Sequence, residues 1–156
     1  MQKIIKTLIL NQDKKSIRRA SRLLINHELV AFPTETVYGL GASAISNLGV
    51  GKIFAAKGRP KYNPLIIHIS NAQEVYKWAI VPKEAEVLIE AFWPGPLTLV
   101  LKRKKTNSEL APLVTGNQKT IAIRVPMHAT ARALISETGV PIAAPSANIS
   151  GKISPT

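Results

Sequence analysis

Short apolar segments with strand character alternate along this chain with longer segments of helical period. That alternation admits little besides an α/β domain built on an open, twisted, mixed β-sheet with flanking helices. Residues 120–125 (Thr120-Ile-Ala-Ile-Arg-Val125) alternate with period two and stop at Pro126. Residues 29–33 end at Pro33, residues 64–69 carry Leu65-Ile-Ile-His-Ile69, residues 97–101 run up to the basic Lys102-Arg-Lys-Lys105, and residues 140–144 complete the predicted strands. Between them, residues 14–28 repeat Ile17, Ala20, Leu24 and His27 at helical spacing, with Lys14, Lys15, Arg18, Arg19 and Arg22 on the opposite arc. A second helix is predicted from a Ser46 or Asn47 cap to about residue 56, ending near Lys57 because Gly58 and Pro60 oppose continuation. Others run from an Asn71 cap through Trp78, from Pro82 as a first-turn proline through Ala91 to the break at Trp93-Pro-Gly-Pro96, and over 129–138 to Gly139. Residues 104–118 read as a loop punctuated by Asn107, Ser108, Pro112 and Gly116-Asn117.

At 156 residues, 46% of them hydrophobic, there is room for one core and not two. No apolar run nears the roughly 18 residues of a membrane span. The start, Met1-Gln-Lys-Ile-Ile-Lys6, lacks the cleavage site of a secretory signal, so a cytoplasmic protein without membrane contact is expected. The absence of cysteine excludes disulfides, a thiolate nucleophile and cysteine-based zinc sites. His27, His68 and His128 lack metal-ligand spacing, so no metal site of the protein's own is expected, and any metal arrives with a substrate. A net charge of +12 attracts polyanions such as nucleotides, RNA and pyrophosphate. No acid falls between Glu35 and Glu74, a stretch that holds Lys52, Lys57, Arg59 and Lys61.

Neither a Walker loop nor a GxGxxG is present, and polar groups collect at strand ends, where open α/β sheets bind ligands. In an extended Lys57-Gly-Arg59 the two cations point the same way and can grip a polyphosphate; the competing reading is a basic helix end answering the helix dipole. Ser146 and Asn148 repeat that spacing after a strand, as a ligand contact or an ordinary capped turn. Thr120 and Arg124 share a strand face with only Ala122 between them. The hollow this leaves suits a carboxylate clamp, against which stands pairing of Arg124 with an acid such as Glu137. Thr34, Thr36 and Tyr38 line one side of an extended segment that suits a small polar ligand or a strand edge. His68 is either a satisfied core histidine or a ligand contact; Asn63 suits a turn or a nucleotide contact, and Tyr62 could stack on a base or pack.

Five blocks in order carry a specific resemblance: Pro33-Thr-Glu-Thr-Val-Tyr-Gly-Leu-Gly41, Lys57-Gly-Arg-Pro60 leading to Asn63-Pro-Leu-Ile-Ile-His68, Trp93-Pro-Gly-Pro-Leu-Thr98, Ile123-Arg-Val-Pro126 and Pro145-Ser-Ala-Asn148. Together they resemble the YrdC-like threonylcarbamoyl-AMP synthase family. The resemblance implies an open twisted α/β fold with a large basic cavity. It implies an enzyme that joins L-threonine, bicarbonate or CO2, and ATP into threonylcarbamoyl-adenylate and pyrophosphate, usually with Mg2+, for modification of tRNA adenosine 37 by downstream threonylcarbamoyl-transfer proteins. Carried over by position, it implies that Thr36, His68, Arg124 and the backbone at Ala144 bind threonine. Arg59, Asn63, Thr120, Ser146 and Ser154 would contact ATP, with Lys57 and Arg59 acting at the phosphates and Thr34, Tyr38 and Asn148 in support. Chains of that family continue into further sheet and helix, so residues 1–156 are expected to form a single domain short of its C-terminal portion. Two alternatives stand beside it: a non-catalytic double-stranded-RNA or tRNA-binding module, favoured by the basic runs, and a paralogue with another substrate.

Overall fold

The computed structural model describes residues 7–106 and 109–156; the N-terminal hexapeptide and the loop positions Asn107 and Ser108 lie outside the described residues. Seven strands form one sheet in the order β1-β2-β7-β3-β6-β5-β4: β1 (Val30–Phe32), β2 (Gly39–Ser43), β3 (Ile66–His68), β4 (Ala79–Ile80), β5 (Leu99–Arg103), β6 (Thr120–Arg124) and β7 (Ile142–Ala143). Only β3 and β6 pair in parallel; every other neighbour is antiparallel, so the sheet is mixed as expected.

Residue parity sorts the side chains between two faces. On one, Ile67, Ile69, Leu99, Leu101, Ile121, Ile123 and Ala143 join a large core with Val50, Ile53 and Phe54 of α2 (Asn47–Lys57). On the other, Phe32, Ile142 and Ala144 pack with Ala20 and Leu24 of α1 (Lys14–Ile25) and with Ala131, Leu134 and Ile135 of α6 (Ala129–Thr138). That second layer stops short of β5. Val100 is 66% exposed, and Thr120 and Ala122 are only half-buried on the same face. The sheet therefore keeps an open face beside α6, bordered by His68 and Arg124.

The caps are legible. Asp13 accepts from Ser16 N to start α1, Ser46 accepts from Gly49 N to start α2, and Asn71 starts a 3-10 turn (Ala72–Glu74) that runs into α3 (Val75–Trp78). Gly58 and Gly139, at φ 59° and 72°, end α2 and α6 in the left-handed region that glycine tolerates.

Several expectations are corrected. His27 is not part of the α1 stripe: α1 ends at Ile25, His27 is exposed at φ 63°, and Ser21 takes the buried place. Pro82 caps α4 (Lys83–Phe92) from extended backbone instead of sitting in its first turn. β5 begins at Leu99 and continues through Lys102 and Arg103, because β4 gives those two residues a partner strand, Lys102 pairing with Ile80 and Arg103 with Ala79. The loop over 104–118 contains a helical turn, α5 (Pro112–Thr115), and the last strand shrinks to two residues. β2 was not anticipated. Its Gly-Leu-Gly-Ala-Ser sequence has low β-propensity, yet a Cβ on Gly41 would lie 2.7 Å from Phe32 and 2.8 Å from Ile142, so close strand packing there requires glycine. No helix among the described residues is long and apolar enough to cross a membrane.

Candidate functional site

β3 and β6 run in parallel and place His68 directly beside Arg124 at their C-terminal ends. Arg124 is 8% exposed, so its guanidinium needs partners. Nε donates to Gly95 O at 3.1 Å, and Nη2 donates to Glu35 Oε1 at 2.5 Å and to Thr36 Oγ1 at 3.2 Å. Glu35 Oε2 in turn accepts from Met127 N at 3.1 Å, tying the pair to the turn that enters α6. Burial alone would raise the Glu35 pKa, but the hydrogen bond and charge of Arg124 hold it below the usual carboxylate range. Glu137, the sequence-level candidate for this pairing, lies elsewhere and meets Arg18 at 3.6 Å.

His68 is fully buried, its ring edge-on to Phe32 with centroids 6.1 Å apart. Burial, reinforced by the positive charge of Arg124, pushes its pKa down to about 4, so the imidazole is neutral at pH 7. Its Nδ1 has no hydrogen-bond partner among the described residues. A buried polar atom left open beside a buried arginine is a liability in a core and an asset in a binding site.

Residues 34–38 do not form the expected extended row. They bend over 35–37, where Thr34 Oγ1 donates to Val37 O at 2.6 Å and lies 3.0 Å from Thr36 Oγ1. Both threonine hydroxyls still reach the Arg124 cluster, whereas Tyr38 turns outward and uses its backbone: its N–H donates to Pro155 O and its carbonyl accepts from Ala147 N.

The second group forms around Lys57. The predicted extended Lys57-Gly-Arg59 is corrected, because Lys57 is the last residue of α2 and Gly58 is left-handed, which sends the two cations to different partners. Lys57 is 2% exposed and donates from Nζ to Ser146 O at 2.5 Å and to Asn148 O. Arg59 donates to Asn63 O at 3.2 Å and Pro64 O at 2.9 Å, closing the turn that holds Asn63. Burial lowers both pKa values, and the Arg59 charge adds to the effect at Lys57. Ser146 and Asn148 share one side as expected: Asn148 Oδ1 accepts from both Ser146 Oγ and Ser154 Oγ. Ala144 donates its N–H to Ile66 O at 3.0 Å, beside His68. Thr120 stands apart, four residues and roughly 13 Å up β6 from Arg124, its hydroxyl 3.4 Å from Gln118.

Glu35 and Gly95 are the site residues that the sequence reading missed. Glu35 had a signal, as the last acid before a stretch of bases that runs to Glu74; Gly95 acts through a carbonyl, which no sequence displays. A cleft of about 440 Å³ opens between Ser70, Asn71 and α6. Another, of about 570 Å³, is lined by the α1 bases, and neither contains a candidate residue. No group of three or more His, Asp or Glu among the described residues is placed to hold a metal ion.

A family model described as telomere recombination, Sua5/YciO/YrdC, matches residues 22–156. The chain belongs to this family. A threonylcarbamoyl-AMP synthase of Bacillus subtilis (strain 168) is 51% identical over 148 residues, covering 94% of this chain and 42% of the relative. A putative threonylcarbamoyl-AMP synthase of Methanocaldococcus jannaschii is 36% identical, covering 99% of this chain and 72% of the relative. Among solved structures, Sua5 of Pyrococcus abyssi complexed with L-threonine superposes with a TM-score of 0.87 at 51% identity, over 92% of this chain and 42% of that one. The chain thus spans less than half the length of the Bacillus and Pyrococcus members of the Sua5/YciO/YrdC family that it matches.

Proposed function

We propose that this chain carries the substrate-binding core of a threonylcarbamoyl-AMP synthase, a nucleotidyltransferase that uses L-threonine, bicarbonate or CO2, and ATP. The observation that carries the reading is the pairing of buried Arg124 with a neutral His68, its Nδ1 without a partner among the described residues, at the C-terminal ends of the parallel strands. Arginine suits the α-carboxylate, and His68 Nδ1 with the Thr36 hydroxyl suits the remaining polar groups of an amino acid. The backbone at Ala144, whose N–H donates to Ile66 O, would complete the threonine side.

The nucleotide belongs on the other side of residues 34–40. There Lys57, with one of its three N–H donors uncommitted, joins Arg59, Asn63, Ser146 and Ser154, with Asn148 in support. Thr120 would meet the nucleotide at its far end. Mg2+ would enter with the ATP phosphates as part of the substrate. The amine of threonine loses a proton and adds to CO2, giving a carbamate. A carbamate oxygen then bonds to the α-phosphorus as the bond to the bridging oxygen breaks, and pyrophosphate leaves with the electron pair. This chain's part is to align the reactants and to stabilise charge on the departing phosphates.

The exposed row Lys14, Lys15, Arg18, Arg19 and Arg22 supports contact with the tRNA that the product serves, in a cytoplasmic setting and ahead of downstream threonylcarbamoyl-transfer proteins. Calorimetric titration with threonine and with ATP, followed by pyrophosphate release dependent on threonine and bicarbonate, tests the reading. Binding of both, and loss of release in Lys57→Ala and Arg59→Ala with the fold intact, is expected. Full activity in either variant would overturn the roles given to Lys57 and Arg59, and steeply salt-dependent RNA binding with no ATP binding would overturn the reading in favour of an RNA-binding module.

A further inference from the structure

Glu35 was not among the residues singled out by sequence, yet its carboxylate bridges two parts of the amino-acid side of the site. One oxygen meets Arg124 Nη2 and the other meets Met127 N. A guanidinium has five N–H donors. Three of those on Arg124 are committed, to Gly95 O, Glu35 and Thr36, one from Nε and two from Nη2. The two Nη1 protons have no partner among the described residues. A guanidinium held through Nε and Nη2 presents Nη1 in a fixed direction, which orients a carboxylate oxygen placed against it.

We propose that Glu35 is the positioning residue that fixes the Arg124 guanidinium, so that Nη1 is the nitrogen offered to the substrate carboxylate. The inference rests on the proposed function only for the identity of that substrate. The alternative is that Glu35 occupies the substrate's own place and must be displaced. Geometry opposes this, because Glu35 takes Nη2 and its second oxygen is spent on the backbone that enters α6. Its negative charge also lets a buried cation sit beside His68.

The test is guanidinium NMR on the ¹⁵N-labelled full chain, with the Arg124 signals assigned by their loss in Arg124→Lys. The wild type should show separate, slowly exchanging Nη signals. Glu35→Gln, which keeps the shape and an acceptor for Met127 N, should average them, and Glu35→Asp should fall between. In parallel, Glu35→Gln should weaken threonine binding at least about tenfold while leaving ATP affinity within about twofold. An unchanged guanidinium spectrum in Glu35→Gln overturns the proposal. So does tighter threonine binding, which would make Glu35 a competitor for the seat. If the wild type binds no threonine, the functional reading falls, and the guanidinium spectra still decide what Glu35 does. Should Glu35→Ala fail to fold, the Gln and Asp variants carry the test.

Discussion

Lys57→Met separates structural from chemical roles at the nucleotide side. Methionine keeps the apolar stem within α2 but removes the ammonium that donates to Ser146 O and Asn148 O. Hydrogen bonds to a charged group are worth about 1.5–3 kcal/mol each. Against that, removing the ammonium relieves the cost of burying a charge, the same cost that lowers the Lys57 pKa. The net loss should be about 1–3 kcal/mol. For a domain of this size, that is a fall in Tm of roughly 2–4 °C per kcal/mol. The loss should be local. The segment after β7 is stitched to its neighbours by Ala147 N to Tyr38 O, Tyr38 N to Pro155 O and Ser150 N to Lys57 O. Hydrogen exchange at Ala147, Tyr38 and Ser150 should accelerate in Lys57→Met, while Ile121 and Ile123 in the sheet centre stay protected. Pyrophosphate release should fall by at least about a hundredfold, as expected when a donor to developing charge is removed. Unchanged exchange at those three amides, or activity within a few-fold of wild type, would refute the argument that this ammonium both holds the loop and serves the phosphates.

Three further outcomes follow from the geometry. His68 binds its proton at about pH 4 in the folded chain and near 6.5 unfolded. Stability present above pH 6.5 should therefore be lost as the pH falls toward 4, by up to about 3 kcal/mol, and urea titrations across that range should lose most of the slope in His68→Phe. Glu35, lowered from 4.5, adds a loss in the same direction only at more acidic pH. Gly41→Ala forces a methyl against Phe32 and Ile142 and should cost about 1–3 kcal/mol, read as a lower denaturation midpoint with an unchanged m-value. Arg124→Lys cannot span Gly95 O, Glu35 and Thr36 together and should weaken threonine binding at least about tenfold, measured by calorimetry, with little change for ATP.

The parts of this fold legible in the sequence are those whose instructions are local. α6 announces itself from Ala129 to the left-handed Gly139, α2 from the Ser46 cap to Gly58, and β6 by alternation. What escaped is determined by neighbours. β2 is a strand because Phe32 and Ile142 lie against Gly41, and Lys102 and Arg103 are strand because Ala79 and Ile80 pair with them. The site divides in the same way. Arg124 reads as a clamp from its small neighbour Ala122, but its pairing with Glu35, 89 positions away, depends on a chain reversal that no local pattern encodes. Lys57 and Arg59 read as an extended pair pointing the same way, and their separation follows from the end of α2 at Lys57 and one left-handed glycine, which composition leaves undetermined.

Residues 34–40 are pinned at both ends. Glu35 and Thr36 are tied to Arg124, and within four residues Tyr38, Gly39 and Leu40 are tied to Pro145, Ser146, Ala147 and Pro155. A tether that short has almost no slack, since a few residues of extended chain reach only about 3.3 Å each. It is a short strap between two anchor points. A carboxylate on Arg124 that changes the affinity for a group at Lys57 must have its own affinity changed by that group by the same factor.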